Sequence, residues 1–237
     1  MSESLPRQPK RPAGYSRVVL KITGECFSSP ARTDYIVREI AAAARSGCEI
    51  AVVVGGGNII RGKQTRLVDR VGADQAGMVA TVVNGILLDR LLERREVPAI
   101  HLSSFEIQGV VRRFSAAVGR QWLAAGRVLV LSGGTGNPMF STDSAAVLRA
   151  CELDVQAVLK GTKVKGVFSA DPKQDRSARF LPRLTYEQAL RRKLAIMDAT
   201  AFALGAENRI PIVVFDLFKP GNLAGVVKGV LIGSRVC

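Results

Sequence analysis

The chain has 237 residues, 47% of them hydrophobic, a formal net charge of +14 and a sequence pI near 10.3. So much apolar content excludes a disordered chain, and its dispersal, with no apolar run close to a bilayer span, argues against a membrane protein. A single histidine, His101, and four scattered cysteines, Cys26, Cys48, Cys151 and Cys237, argue against zinc clusters and against Ser–His or Cys–His catalysis.

The N-terminus lacks an apolar signal core, which predicts a cytoplasmic protein with reduced thiols. The basic balance favours anionic partners: nucleotides, nucleic acid or acidic surfaces. Arginines such as Arg90, Arg94, Arg95, Arg191 and Arg192 fit a solvated surface equally well. Aromatic residues are only 5%, with no basic–aromatic alternation of the kind single-strand binders use.

Residues 1–14 hold three prolines and little to bury, which predicts a mobile tail. Val18–Ile22 reads as a first strand, leading into Lys21-Ile22-Thr23-Gly24-Glu25. A lysine, a hydroxyl and a glycine at a strand's end suit a phosphate, though a lone lysine there is more often simply solvated. Thr33 and Asp34 open a helix closed by Gly47. Ile50–Val54 is an apolar run that fits a strand buried on both faces, and it enters Gly55-Gly56-Gly57-Asn58. Three consecutive glycines after a buried strand imply close approach to the backbone. Gly57 to Lys63 has P-loop spacing, but Gln64 stands where a hydroxyl should hold magnesium, so that match is rejected.

Asp74–Glu93 reads as a long helix with Val79, Val82, Val83, Ile86, Leu87 and Leu91 inward. Ala99–Leu102 is a strand, and Ser115–Ala125 a helix stopped by Gly126. Trp122, Met78 and His101 read as packed residues rather than ligands. Val128–Leu131 is a strand, Thr135–Asp143 a glycine-rich turn, and Ser144–Ala150 a helix that Ser141 or Thr142 would cap. Free N–H groups at such a junction suit an anion. Val155–Leu159 is a strand with Lys160 and Lys163 at its end. Helices from Thr185 and from Met197-Asp198 follow, then a strand at Ile212–Phe215, a short helix at Leu223–Lys228 and a last strand near Val230–Ile232.

Alternating helices and strands predict an α/β fold with a mainly parallel sheet. Glycine turns and lysines gather after several strands, and the ligand crevice of such sheets lies beyond the strands' carboxyl ends. Separate anion-seeking elements would meet there and hold more than one phosphate.

From about Arg17 to the end, these residues resemble the bacterial-type uridylate (UMP) kinases of the amino-acid kinase superfamily. The resemblance rests on Lys21-x-Thr23-Gly24-Glu25, Gly55-Gly56-Gly57-Asn58-x-x-Arg61-Gly62, Asp74, the block Thr135–Ala146, Lys160-x-Thr162-Lys163-Val164 and Ala170-Asp171-Pro172. It implies a three-layer α/β/α sandwich over 15–237, with UMP mainly on 15–155 and ATP mainly on 156–237. It implies transfer of the γ-phosphoryl group of ATP, as its Mg2+ complex, to UMP. Lys21, Arg61 and Asp143 would be catalytic. Lys21, Ile22, Thr23, Gly24, Gly57 and Arg61 would surround the donor phosphates, with Thr162, Phe168 and Asp171 beside the adenosine. Gly56, Asp74 and Thr135, Gly136, Asn137, Pro138, Met139, Phe140, Ser141 and Thr142 would hold UMP. A cytoplasmic homohexamer, no membrane and no separate protein metal site are implied as well.

Three departures from the family pattern stand out. Thr23 replaces the usual Ser, Lys165 replaces the usual Asp, and the segment Cys26–Arg32 is short. Two alternatives stay open: a kinase of the same fold with another acceptor, and a basic, non-catalytic nucleotide- or nucleic-acid-binding protein. The short segment predicts weak or absent GTP activation through that route, so the steady-state rate should stay within about twofold on adding GTP; a several-fold rise contradicts this.

Overall fold

The computed structural model describes residues 14–60, 68–172, 174–175, 177–192, 194 and 196–237. The predicted tail, apart from Gly14, and the Arg61-Gly62-Lys63 stretch lie outside these residues.

Among the described residues seventeen elements follow in chain order. They are β1 (Arg17–Ile22), a 3-10 turn (Gly24–Phe27), α1 (Pro30–Ala44), β2 (Glu49–Val54), α2 (Arg70–Glu93), β3 (Ala99–Ser103), β4 (Arg112–Arg113), α3 (Ala116–Ala124), β5 (Val128–Ser132), α4 (Thr142–Leu153), β6 (Ala157–Thr162), β7 (Arg183–Leu184), α5 (Tyr186–Arg191), α6 (Ala199–Glu207), β8 (Ile212–Asp216), α7 (Asn222–Val227) and β9 (Ser234–Val236). The strands form one nine-stranded sheet in the order β4-β3-β5-β2-β1-β6-β8-β9-β7. Every pairing is parallel except β8 with β9.

Side chains alternate across each strand. Val18, Leu20 and Ile22 of β1 therefore join one core with α1, α2 and α7, while Val19 joins a second core with α3, α4, α5 and α6. The result is the expected three-layer α/β/α sandwich. The chain leaves β1 in one direction toward β2 and returns on its other side as β6, so strand order reverses at β1. A crevice opens at such a point beyond the carboxyl ends.

Several boundaries differ from the sequence reading, for local reasons. α1 begins at Pro30, with Ser29 accepting from Arg32 N, because a proline at the first helical position costs no hydrogen bond. α2 begins at Arg70, where Asp69 caps Gly72 N at 2.7 Å, so Asp74 lies one turn inside the helix. On α2, Val82 points inward as expected, with Ala80, Thr81, Asn84, Leu88 and Leu92. Val79, Val83 and Leu87 instead face outward, 48%, 44% and 47% exposed. By length and composition alone α2 reaches a membrane span, against the expectation that no apolar stretch does. It lies on the sheet and buries the polar Thr81 and Asn84. The last strand is Ser234–Val236, and Val230 and Leu231 are exposed ahead of it. Lys160 sits inside β6 rather than beyond it.

Gly85 lets α2 lie against β3. A Cβ there would fall 2.7 Å from His101 Cε1, and that ring is fixed by a 2.7 Å bond between Nε2 and Ser132 Oγ. Burial pushes the His101 imidazole down to about 4, so it is neutral at ordinary pH. Gly85→Ala should cost about 1–3 kcal/mol by overpacking, read as a lowered urea midpoint with an unchanged m-value.

Candidate functional site

β1 and β2 are adjacent and parallel, so their carboxyl-end turns meet. A Cβ on Gly24 would lie 2.6 Å from Gly57 N, and one on Gly55 would lie 2.9 Å from Gly24 N. No other residue fits this backbone-on-backbone contact. α2 secures the second turn: Asn84 Nδ2 donates to Gly55 O at 2.7 Å and to Asn58 Oδ1 at 2.8 Å. Gly56 packs on the same helix, where a Cβ would meet Gly77 O at 2.8 Å.

The loop after β5 is tied to this frame from two sides. Gly133 N donates to Thr81 Oγ1 at 2.7 Å, and Met139 N to Asp74 Oδ2 at 2.9 Å. Arg70 Nε lies 2.7 Å from the same Asp74 oxygen. Gly133, Gly134 and Gly136 all take positive φ, which the reversal of the chain demands. Within the loop Asn137 N donates to Thr135 Oγ1 at 3.2 Å. Pro138, Met139 and Phe140 follow, with Met139 and Phe140 largely exposed. Ser141 then caps α4, accepting from Asp143 N at 3.0 Å and Ser144 N at 3.4 Å.

α4 thereby delivers Asp143 to the centre. Lys21 Nζ lies 2.8 Å from its Oδ1, as an ion pair outside hydrogen-bond alignment, and Lys160 Nζ donates to Oδ2 at 2.6 Å. Asp143 is 8% exposed and Lys21 8%. Burial would raise the Asp143 carboxyl, but the two ammonium groups outweigh it and hold it below the usual carboxylate range. Burial, helped by the like charge of Lys21, lowers Lys160 below the usual lysine range against the pull of Asp143. The two directions agree, since the cluster holds one anion against two cations and its surplus positive charge makes a lysine proton easier to lose.

Lys160 Nζ also donates to Ile196 O. Two residues on, Asp198 caps α6 through Ala201 N at 2.8 Å and accepts from Ser144 Oγ at 2.8 Å and from Ser141 Oγ. α6 thus braces the start of α4. At the mouth Lys163 pairs with Glu25, linking the end of β6 to the turn after β1.

Beside this cluster lies a cleft of about 450 Å³, lined by Lys21, Thr23, Gly24, Gly56, Gly57, Thr142, Thr162 and Lys163 among others; Asp143, Lys160, Asp74 and residues 135–141 are not part of its lining. Larger grooves of about 610, 730 and 840 Å³ lie elsewhere. Two glycine turns meeting beside the buried Lys21–Asp143–Lys160 cluster, rather than volume, distinguish the cleft. Ile22 contributes no side chain to it: that side chain is in the core, and its carbonyl accepts from Gly55 N at 3.0 Å. Thr162 Oγ1 donates at the end of β6 and accepts from Val164 N at 3.2 Å. Phe168 lies beyond the cleft's lining, edge-on to Phe180 at 5.5 Å, with Asp171 exposed in the same loop. Arg61 is outside the described residues. Lys165 turns away from the cleft, its Nζ 4.7 Å from the Phe180 ring centroid.

Two residues join the site that the sequence marks only as a strand-end lysine and a helix start, Lys160 and Asp198. Lys160 was findable: a lysine in the middle of an apolar strand needs a buried counter-ion. Asn84 and Thr81, inside an apolar helix, carried a similar signal. Glu25, four residues from Lys21, gave none that pointed across to Lys163.

Residues 16–216 match the model of the Amino acid kinase family. A uridylate kinase of Bradyrhizobium sp. (strain ORS 278) is 46% identical over 224 residues, covering 91% of this chain and 94% of that protein. The crystal structure of UMP kinase from Bacillus anthracis superposes with a TM-score of 0.91 at 29% identity, over 94% of this chain and 96% of that one. UMP kinase from Ureaplasma parvum gives 0.87 at 34% identity, over 93% and 98%. With two glycine turns, the Thr135–Thr142 loop and a buried Lys–Asp–Lys cluster meeting at one sheet edge, the chain belongs to the uridylate kinases of the amino acid kinase family.

Proposed function

We infer that this protein transfers the γ-phosphoryl group of ATP to the phosphate of UMP, giving ADP and UDP, a step of pyrimidine nucleotide synthesis. The observation that carries the reading is Asp143 held between Lys21 and Lys160 beside two glycine turns. Moving a phosphoryl group between two phosphates needs two repelling anions held in line and the moving charge offset. The lysines supply that charge, and backbone N–H groups near Gly24 and Gly57 supply donors. The acceptor phosphate is ionised near neutral pH, so no strong general base is required.

In this reading Lys21, Thr23, Gly24, Gly57 and Arg61 hold the donor phosphates, with the backbone of Ile22 behind them. Thr162, Phe168 and Asp171 border the adenosine, and Gly56, Asp74 and residues 135–142 hold UMP. In one domain, 15–155 thus holds UMP and reaches the donor phosphates, while 156–237 holds mainly the adenosine part of ATP. Magnesium arrives with ATP as part of the substrate, bound mainly by phosphate oxygens and water. That fits a site whose one buried carboxylate is already engaged by two lysines. The exposed Val79, Val83 and Leu87 lie on one face of α2, at successive four-residue steps, and support self-association through that face; a cytoplasmic homohexamer is the assembly this reading carries. The +14 charge leaves nucleic-acid binding as a secondary role, which salt-dependent retention on RNA would reveal.

An ADP-release assay with ATP, magnesium and a panel of UMP, CMP and small carboxylates tests the reaction. UMP should be preferred; equal turnover of a carboxylate refutes the acceptor. Asp74→Asn should raise the KM for UMP by about 10- to 100-fold, since a charge-assisted acceptor is lost; an unchanged KM removes Asp74 from the UMP site. Asp143→Asn leaves two buried lysines facing each other. It should lower kcat at least about 100-fold and cost about 3 kcal/mol of stability, read by turnover and urea denaturation. Lys160 must keep its proton to offset charge, and its proton is lost below the usual lysine range. The alkaline limb of kcat should therefore fall before that range is reached, and Lys160→Arg should move the limb upward while keeping part of the activity.

A further inference from the structure

The groove of about 840 Å³ lies on the face of the sheet that also packs α1 and α7, at its β8-β9-β7 edge. It shares no lining residue with the 450 Å³ cleft. Its floor follows from strand alternation. Val236 and Leu184 point into the core under α4, α5 and α6, so their neighbours Arg235 and Arg183 point the other way. These two arginines are direct partners on parallel strands, on one face of the sheet. Like charges set directly opposite destabilise a sheet. No carboxylate pairs with either among the described residues.

Lys165 and Lys219 add two more cations to the walls, and among the described residues lining the groove Asp216 is the only acid. Its Oδ1 already accepts from Phe218 N at 2.9 Å. Lys165 is held over Phe180, which keeps its ammonium group at the groove. Between the cations lie the apolar Val213, Val226 and Ile232.

We propose that this groove is a second binding site, separate from the substrate cleft, for a phosphorylated small molecule. Its phosphoryl group sits on the Arg183–Arg235 pair and its ring or apolar body on the apolar surface of Val213, Val226 and Ile232. A single carboxylate would leave most of the positive charge unmatched. A phosphoryl dianion offers two oxygens to each guanidinium fork and relieves the repulsion between them. The volume suits a ligand up to the size of a nucleotide.

The test uses full-length protein with both substrate positions filled by UMP and a non-hydrolysable ATP analogue with magnesium. p-Nitrophenyl phosphate, p-nitrophenol and inorganic phosphate are then titrated calorimetrically. The first should bind, with the other two at least tenfold weaker. The R183Q/R235Q double variant should lose at least tenfold in affinity for p-nitrophenyl phosphate, with kcat/KM for UMP unchanged. R235Q alone, the milder change, should lose at least threefold. Absent binding by the filled enzyme, affinity untouched by these substitutions, or p-nitrophenol binding as tightly as its phosphate ester would each overturn the proposal.

Discussion

One carboxylate between two ammonium groups is the constraint from which the rest of the site follows. Lys21 and Lys160 are Cα partners on adjacent parallel strands, so two cations are fixed side by side in a nearly dry interior. Without a counter-ion this arrangement would be costly. Asp143 supplies it from a different layer, and α4 must begin at the right height for its carboxylate to reach both amines. That height is set by Ser141, which caps α4 and hydrogen-bonds Asp198, the cap of α6. Two helix starts and two strands are therefore locked to a single point charge.

The glycines serve the same geometry from the other side. Backbone contact between Gly24 and Gly57 holds the turns after β1 and β2 against each other. Asn84 and Thr81 then fix those turns and the loop after β5 to α2. α2 is thus apolar in composition yet polar where it matters: its buried amide and hydroxyl face the site, while part of its valine and leucine faces outward. This division explains why period counting went wrong there. An apolar residue on a helix reports only a preference to leave water, and it does not say whether the sheet or another surface covers it.

Much of the rest was legible because the signals were local. Continuous apolar runs gave β1, β2, β5 and β8, and glycines after strands gave the turns. The motif block from Thr135 to Ala146 located the loop and the start of α4. Helix starts slipped where a serine or aspartate earlier in the chain won the cap, as Ser29 and Asp69 did. Lys160 and Asp198 escaped because their roles depend on partners 17 and 54 residues away, Asp143 and Ser144, and spacing along the chain carries no trace of such contacts.

The sheet holds a second like-charged pair in neighbouring register, Arg183 with Arg235, and comparison with Lys21 and Lys160 is instructive. Both pairs sit on parallel strands, and each sets like charges on one face of the sheet. At the centre the chain provides its own counter-ion and closes the cluster under a helix. At the edge, among the described residues, it provides none, and the sheet face there forms the wall of a groove rather than the bed of a helix. An exposed repulsion of this kind is weak in water, because solvent screens it. It therefore survives at little cost in the free protein, and it becomes an attraction for any dianion small enough to enter. The same physical rule that builds the substrate cleft, cations held together by neighbouring strands, is met internally in one place and left open to a ligand in the other.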